Sequence, residues 1–185
     1  MATLAVTGVC RLCFINVLKP NEHGKYSITV LVPKSDTATV AKLRKVIEDF
    51  KTDPRALKKW DSKFLANFQT PLRDGDTERD TEKRPEYKDH YFFEAKANPT
   101  DGKGNPRQAP KVVDAKLNEI IDPAELYSGC YGRVSLDLYP YNQDGNKGMS
   151  FGLVNVQKVR DGERLSGGTS SVTDDFTAVE EDFLA

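Results

Sequence analysis

Cys130-Tyr131-Gly132-Arg133-Val134-Ser135-Leu136-Asp137-Leu138-Tyr139-Pro140-Tyr141 alternates between apolar and polar side chains along most of its length. A period of two belongs to a strand with one face in a core. Val134, Leu136 and Leu138 fall on the core side, while Tyr131, Arg133, Ser135, Asp137, Tyr139 and Tyr141 fall on the other. Asn142-Gln143-Asp144-Gly145-Asn146-Lys147 follows, and its Asp-Gly pair is a strong hairpin signal. Gly148 to Arg160 then supplies a second long strand. Three tyrosines and an arginine on the polar face suit a binder of unstacked bases, because every base has a π-face and every nucleotide a phosphate. The same residues would also suit a second packing layer beneath helices, since aromatics fit strands in any setting.

Upstream, residues 4–18 and Tyr26-Ser27-Ile28-Thr29-Val30-Leu31-Val32 read as a β-hairpin around the polar turn 19–25. Ser35 or Asp36 can cap a helix with Val40, Leu43, Val46, Ile47 and Phe50 at helical spacing, which Asp53-Pro54 ends. A second helical stretch carries Leu57, Trp60, Phe64, Leu65 and Phe68. The exposed faces of this pair are basic, through residues such as Lys42, Lys45, Arg55, Lys58 and Lys59. Arg73 to Asp89 is dominated by charge and reads as a long solvated loop. His90 to Ala97 reads as a strand, 98–107 as a basic loop, Pro110 to Asp114 as a short strand and Asp122 to Leu126 as a single helical turn.

The 185 residues suffice for one ordinary domain. No apolar run approaches the ~20 residues of a membrane helix. The N-terminal stretch lacks the basic segment of a secretory signal, so the chain is expected to stay where it is made. Three cysteines are too few for a disulfide scaffold, in keeping with a reducing compartment.

The net charge of −1 conceals a division. The last fifteen residues hold five of the 28 acids, Asp174, Asp175, Glu180, Glu181 and Asp182, and no Lys or Arg. Residues 1–170 thus carry all 27 basic groups against 23 acids, a formal +4. Gly167-Gly168-Thr169-Ser170-Ser171 reads as a flexible linker to this acidic tail, which ends in Phe183-Leu184-Ala185. An acidic segment can mimic nucleic acid and lie in the protein's own cationic groove, while Phe183 and Leu184 offer an anchor for partners. A solubilising end without a partner has the same composition.

Sites of other kinds find little support. Residues three apart on a regular strand face opposite sides, so Cys10-x-x-Cys13 reads as small apolar packing rather than a metal pair. The carboxylates of the 74–86 run are interleaved with cations and lack the rigid scaffold of a two-metal nuclease. No phosphate-binding loop or nucleophile motif is present. Neither a catalytic residue, a metal nor a cofactor is expected.

The stretch Asp122-Pro123-Ala124-Glu125-Leu126-Tyr127-Ser128-Gly129-Cys130-Tyr131-Gly132-Arg133-Val134, with Tyr139-Pro140-Tyr141, Gly145-Asn146-Lys147-Gly148-Met149-Ser150-Phe151-Gly152-Leu153 and 155–165, resembles a family of tailed-phage single-stranded DNA-binding proteins. The resemblance implies a mainly β chain built on an OB-fold, a partly open five-stranded barrel that binds oligonucleotides through a face and loops. It further implies that the helical pair near 36–66 is an insertion, that 1–165 form the DNA-binding domain, and that 166–185 are a disordered linker and acidic tail. The expected function is sequence-independent binding of single-stranded DNA in phage replication and recombination, in the cytoplasm of the infected host. Strand faces nominate Tyr91, Phe93, Tyr131, Tyr139 and Tyr141 for stacking, with Phe92 an equal candidate for the outward position on its strand, and Lys96, Lys103, Arg107, Lys111, Arg133 and Lys147 for phosphates. Replication or recombination proteins are the partners expected at the tail, and a homodimer is compatible with the sequence. The alternatives are a recruitment protein with weak DNA affinity and, behind it, a metal-dependent nuclease.

Overall fold

Five strands pair in a closed ring in the computed structural model, which describes residues 3–165. They are β2 (Cys10–Asn16), β3 (Tyr26–Pro33), β5 (His90–Ala97), β7 (Tyr131–Gln143) and β8 (Asn146–Arg160). β2 pairs antiparallel with β3, and β3 with β5; β5 runs parallel to β8, β8 returns antiparallel to β7, and β7 pairs with β2. The ring has the five strands of the expected barrel. Short strands β1 (Ala5–Val6), β4 (Arg73–Asp74) and β6 (Lys111–Val113) extend it beside β7, β5 and β8.

Side-chain alternation fills the ring as the sequence pattern requires. Leu12, Ile28, Val30, Phe93, Ala95, Val134, Leu136, Leu138, Phe151 and Leu153 are buried in the main core, where the Phe93 and Phe151 rings lie 4.7 Å apart. The β7–β8 hairpin is tighter than the six-residue loop expected. Its strands run on to Gln143 and Asn146, leaving Asp144 and Gly145 as a two-residue turn with φ of 50° and 85°. Positive φ at both positions gives a turn whose twist matches the strands, which Asp-Gly adopts at low cost.

Helix α1 (Thr37–Phe50) is capped by Asp36, whose carboxylate accepts the Thr39 N–H at 3.1 Å. Asp53 caps α2 (Pro54–Trp60) in the same way. The second helix ends earlier than its apolar spacing suggests, because Asp61 turns left-handed at φ 55°. Phe64 and Phe68 nevertheless pack edge-on against Trp60 at 5.3 and 5.6 Å. The buried Trp60 indole donates to the Gly148 carbonyl at 2.9 Å and so ties the insertion to β8.

Residues 73–89 correct the expectation of a solvated loop. They form β4, a four-residue helix α3 (Gly75–Glu78) and a 3-10 turn (Pro85–Tyr87). Tyr87 is the reason: with Cys13, Leu31 and Phe92 it builds a second, smaller apolar cluster outside the barrel, its ring 5.1 Å from Phe92. The start of the segment is pinned by Lys34, which pairs with Asp74 at 2.8 Å and Asp76 at 2.6 Å. Asp76 also accepts the Asp89 N–H at 3.0 Å, tying the two ends of the segment together.

Cys10 faces the main core and Cys13 the outer cluster, and burial pushes both thiols up to about 12. Among the described residues, no group of three or more His, Cys, Asp or Glu is placed to hold a metal ion, and no helix is long and apolar enough to cross a membrane. The tail residues Asp174, Asp175, Glu180, Glu181, Asp182, Phe183 and Leu184 lie outside the described residues.

Candidate nucleic-acid interface

The outer barrel surface is built by the alternate residues of the same strands. Ser27 of β3 lies opposite Lys96 of β5, and Lys96 beside Gly152 of β8, which faces Asp137 of β7. One register step along, Thr29 opposes Glu94, and Ser150 opposes Tyr139. Arg73, Glu94, Lys96, Tyr141 and Ser150 line a groove on this surface. Lys96 pairs with Glu94 at 3.0 Å, an exposed contact that an incoming phosphate can displace at little cost. Tyr139 is exposed and on the outer face, as the alternation requires. Tyr141 is half-buried beside Gly148, and desolvation raises its hydroxyl pKa.

Several nominated residues are placed otherwise. Phe93 points into the barrel and is fully buried, which leaves no ring face for a base; the strand is one residue out of phase with that nomination. Phe92 is the outward aromatic, and it is covered by Tyr87 and by the Arg79 guanidinium, 4.5 Å from its ring centre. Tyr91 packs against the main core and its hydroxyl accepts from Arg44 at 3.0 Å, with Lys34 and Arg44 about the ring at 5.0 and 5.1 Å. Lys147 donates to the Trp60 carbonyl at the end of α2, so its ammonium serves the fold. Arg133 is exposed, and its Nε donates to the Thr7 carbonyl at 3.1 Å. Lys103, Arg107 and Lys111 are exposed, Lys103 on the loop closed by the Thr100–Pro106 bridge and Arg107 just beyond it. Outside this groove, the outer face of β7 is partly a packed layer: Asp137 is buried, its carboxylate accepting the Leu138 N–H at 2.8 Å.

A second groove, of about 800 Å³, runs along the outer side of β2 and contains cations that the sequence reading did not single out. Arg11, Lys83, Arg84 and Arg164 line it around the half-exposed ring of Phe14. Glu163, Arg164 and Leu165 form one wall of it, and Gly129 lets them approach. The φ of Gly129 is 113°, and a Cβ there would stand 1.9 Å from the Glu163 carbonyl, so only glycine lets residues 163–165 lie against the start of β7. Regular alternation gives no hint of Phe14, because a bulge in β2 breaks the pattern there.

Over residues 3–184 the chain matches the family model described as the Enterobacter phage Enc34 ssDNA-binding protein. A protein called p50 from Acyrthosiphon pisum secondary endosymbiont phage 1 is 26% identical over 194 residues, covering 95% of each chain. The single-stranded DNA-binding protein from bacteriophage Enc34 superposes with a TM-score of 0.68 at 22% identity, covering 92% of this chain and 88% of that one. The same protein in complex with ssDNA gives 0.65 at 22% identity, covering 87% and 88%. Bacteriophage T7 gp2.5, a single-stranded DNA-binding protein, gives 0.61 at 20% identity, covering 96% and 95%.

Proposed function

Since the chain belongs to the ssDNA-binding protein family of Enterobacter phage Enc34, we propose that it binds single-stranded DNA without sequence preference, in replication and recombination of phage DNA inside the infected host. The observation that carries this reading is the outer barrel face, where Tyr141 lines a groove with Lys96 and Arg73 and Tyr139 is exposed opposite Ser150 of the same groove. Base stacking on such rings contributes about 1–3 kcal/mol per base, and cations add a phosphate term that falls with salt. Lys103, Arg107 and Lys111 are the further phosphate contacts of this reading, together with Arg133 of β7. The reading assigns the protein no catalysis. Its acidic tail competes with DNA for the basic body and recruits replication proteins through Phe183 and Leu184.

Fluorescence anisotropy of labelled oligonucleotides of mixed sequence, titrated from low to moderate salt, tests the proposal. Similar affinity across sequences with a steep salt slope is expected. Affinity confined to one sequence, or indifferent to salt, contradicts it. Incubation of labelled DNA with Mg²⁺ separates this reading from a nuclease, for which cleavage would be the signature.

A further inference from the structure

β2 pairs with β3 regularly as far as Cys13 opposite Thr29 and resumes at Asn16 opposite Ser27. Phe14 and Ile15 therefore stand against the single residue Ile28, which is a β-bulge, a device that re-aims a side chain. Phe14 takes φ of 47°, a region that bulky residues occupy only under strain. Its N–H is held by the Ser128 hydroxyl at 2.8 Å. The outcome is a phenylalanine ring 48% exposed to solvent, on a strand whose neighbours Leu12 and Cys13 are buried. Glycine or asparagine would fit this backbone without strain, so the position carries a cost that burial of the ring does not offset.

The surroundings indicate what the ring could meet. The Arg84 guanidinium stands 5.3 Å from its centre, and Arg11, Lys83 and Arg164 line the same groove. Two acids border it, Glu86 and Glu163, and Glu86 is already paired with Arg84 at 2.6 Å. Arg11 Nη2 donates to the Glu163 carbonyl at 2.8 Å, while its Nε is, among the described residues, the one buried side-chain nitrogen without a hydrogen-bond partner. A cationic groove alone would suit any polyanion. An exposed π-face among the cations distinguishes a nucleic acid strand, in which a flat base and a phosphate alternate along one chain.

We propose that Phe14 is a base-stacking platform and that Arg84, Arg11, Lys83 and Arg164 contact the flanking phosphates, forming a second single-strand subsite on the first barrel strand. This groove shares no lining residue with that of Tyr141 and Lys96. The inference rests on the proposed DNA-binding function and adds a subsite to it.

The test uses the full chain, its Phe14→Gly and Phe14→Trp variants, and a labelled oligodeoxythymidine. Phe14→Gly removes the ring and relieves the left-handed backbone, so it should melt no lower than the parent while binding roughly 5- to 150-fold more weakly. Phe14→Trp should keep the parent's affinity, and its new emission should be quenched by DNA; the one native tryptophan, Trp60, is fully buried and supplies the baseline. Parental affinity in Phe14→Gly, or emission from Phe14→Trp that ignores saturating oligonucleotide, overturns the subsite alone. Failure of the parent chain to bind the oligonucleotide at all would remove the function on which the subsite rests.

Discussion

The Arg160 guanidinium stands 4.0 Å from the centre of the Tyr131 ring, and that of Arg11 stands 5.7 Å from it. Tyr131 is thus already engaged by cations, whereas Tyr139 on the same strand face is 38% exposed with no cation about its ring among the described residues.

The two tyrosines should respond differently to truncation. Tyr139→Ala removes an open stacking surface and should weaken binding of a short oligonucleotide by about 1–3 kcal/mol with little change in melting temperature. Tyr131→Ala instead removes cation–π contacts worth about 0.5–1 kcal/mol at an exposed site, so its effect should appear in stability more than in affinity. Paired anisotropy and thermal melts on both variants read the contrast, and equal losses of affinity would count against it.

Phe93 offers the converse case. Its ring fills the barrel against Phe151, so Phe93→Ala should cost about 3–5 kcal/mol of stability. Leu136→Ala, across the same core, should cost about 2–5 kcal/mol. Below their lowered melting transitions both variants should bind DNA as the parent does. Denaturant titration measures the first effect and anisotropy the second.

The barrel was legible because its longest strands alternate cleanly. Val134, Leu136 and Leu138 could be assigned to the core, and Asp144-Gly145 to a turn, from residue type and spacing alone. Phe92 and Phe93 show where that legibility ended: two adjacent aromatics fit either phase of a strand, and the choice is made by what covers the outer face. Here that cover is Tyr87, an isolated aromatic in a charged run, which a cluster with the sequence-distant Cys13 and Leu31 holds over the strand where periodicity cannot register it. Phe14 escaped for a local reason, since a one-residue bulge reverses the inward and outward assignment beyond it. Lys147 lies in a polar turn that nominates it for a phosphate, but the end of α2 supplies it with a carbonyl from a distant part of the chain.

The Lys34, Asp74 and Asp76 cluster predicts an acid-sensitive anchor for residues 73–89. Hydrogen bonds from the Lys34 ammonium hold both carboxyls below the ordinary value of 3.8. Groups with a depressed folded-state pKa stabilise the fold above their ordinary pKa, and that contribution is lost as pH falls through the folded value. The same contacts raise Lys34 above its ordinary 10.5, so its share is intact below that value and lost only as pH rises beyond it. A Lys34→Met variant should therefore differ from the parent in melting temperature by a constant amount between about pH 5 and pH 9, with the difference shrinking below about pH 3.8. A difference that persists undiminished into strong acid would point to packing of the lysine stem instead.

Removal of the acidic tail should tighten DNA binding while leaving most of its salt dependence. A body of formal +4 is joined through Gly167-Gly168-Thr169-Ser170-Ser171 to a segment with five acids and no bases. On the proposed function, a tether of this composition keeps that segment at high effective concentration near the cationic grooves, and DNA must displace it in order to bind. Truncation after Gly168 removes the competitor but leaves Lys96, Lys103, Arg107 and the cations around Phe14 in place. Counterion release from DNA still accompanies their contacts, and the salt slope should persist. The truncated chain should also lose any replication partner that the full chain retains, because Phe183 and Leu184 go with the tail. Titration of one oligonucleotide against both chains at two salt concentrations reads both effects. Equal or weaker binding after truncation would show that the tail neither occupies nor screens the DNA site, and the grooves would then be open to DNA in the intact protein.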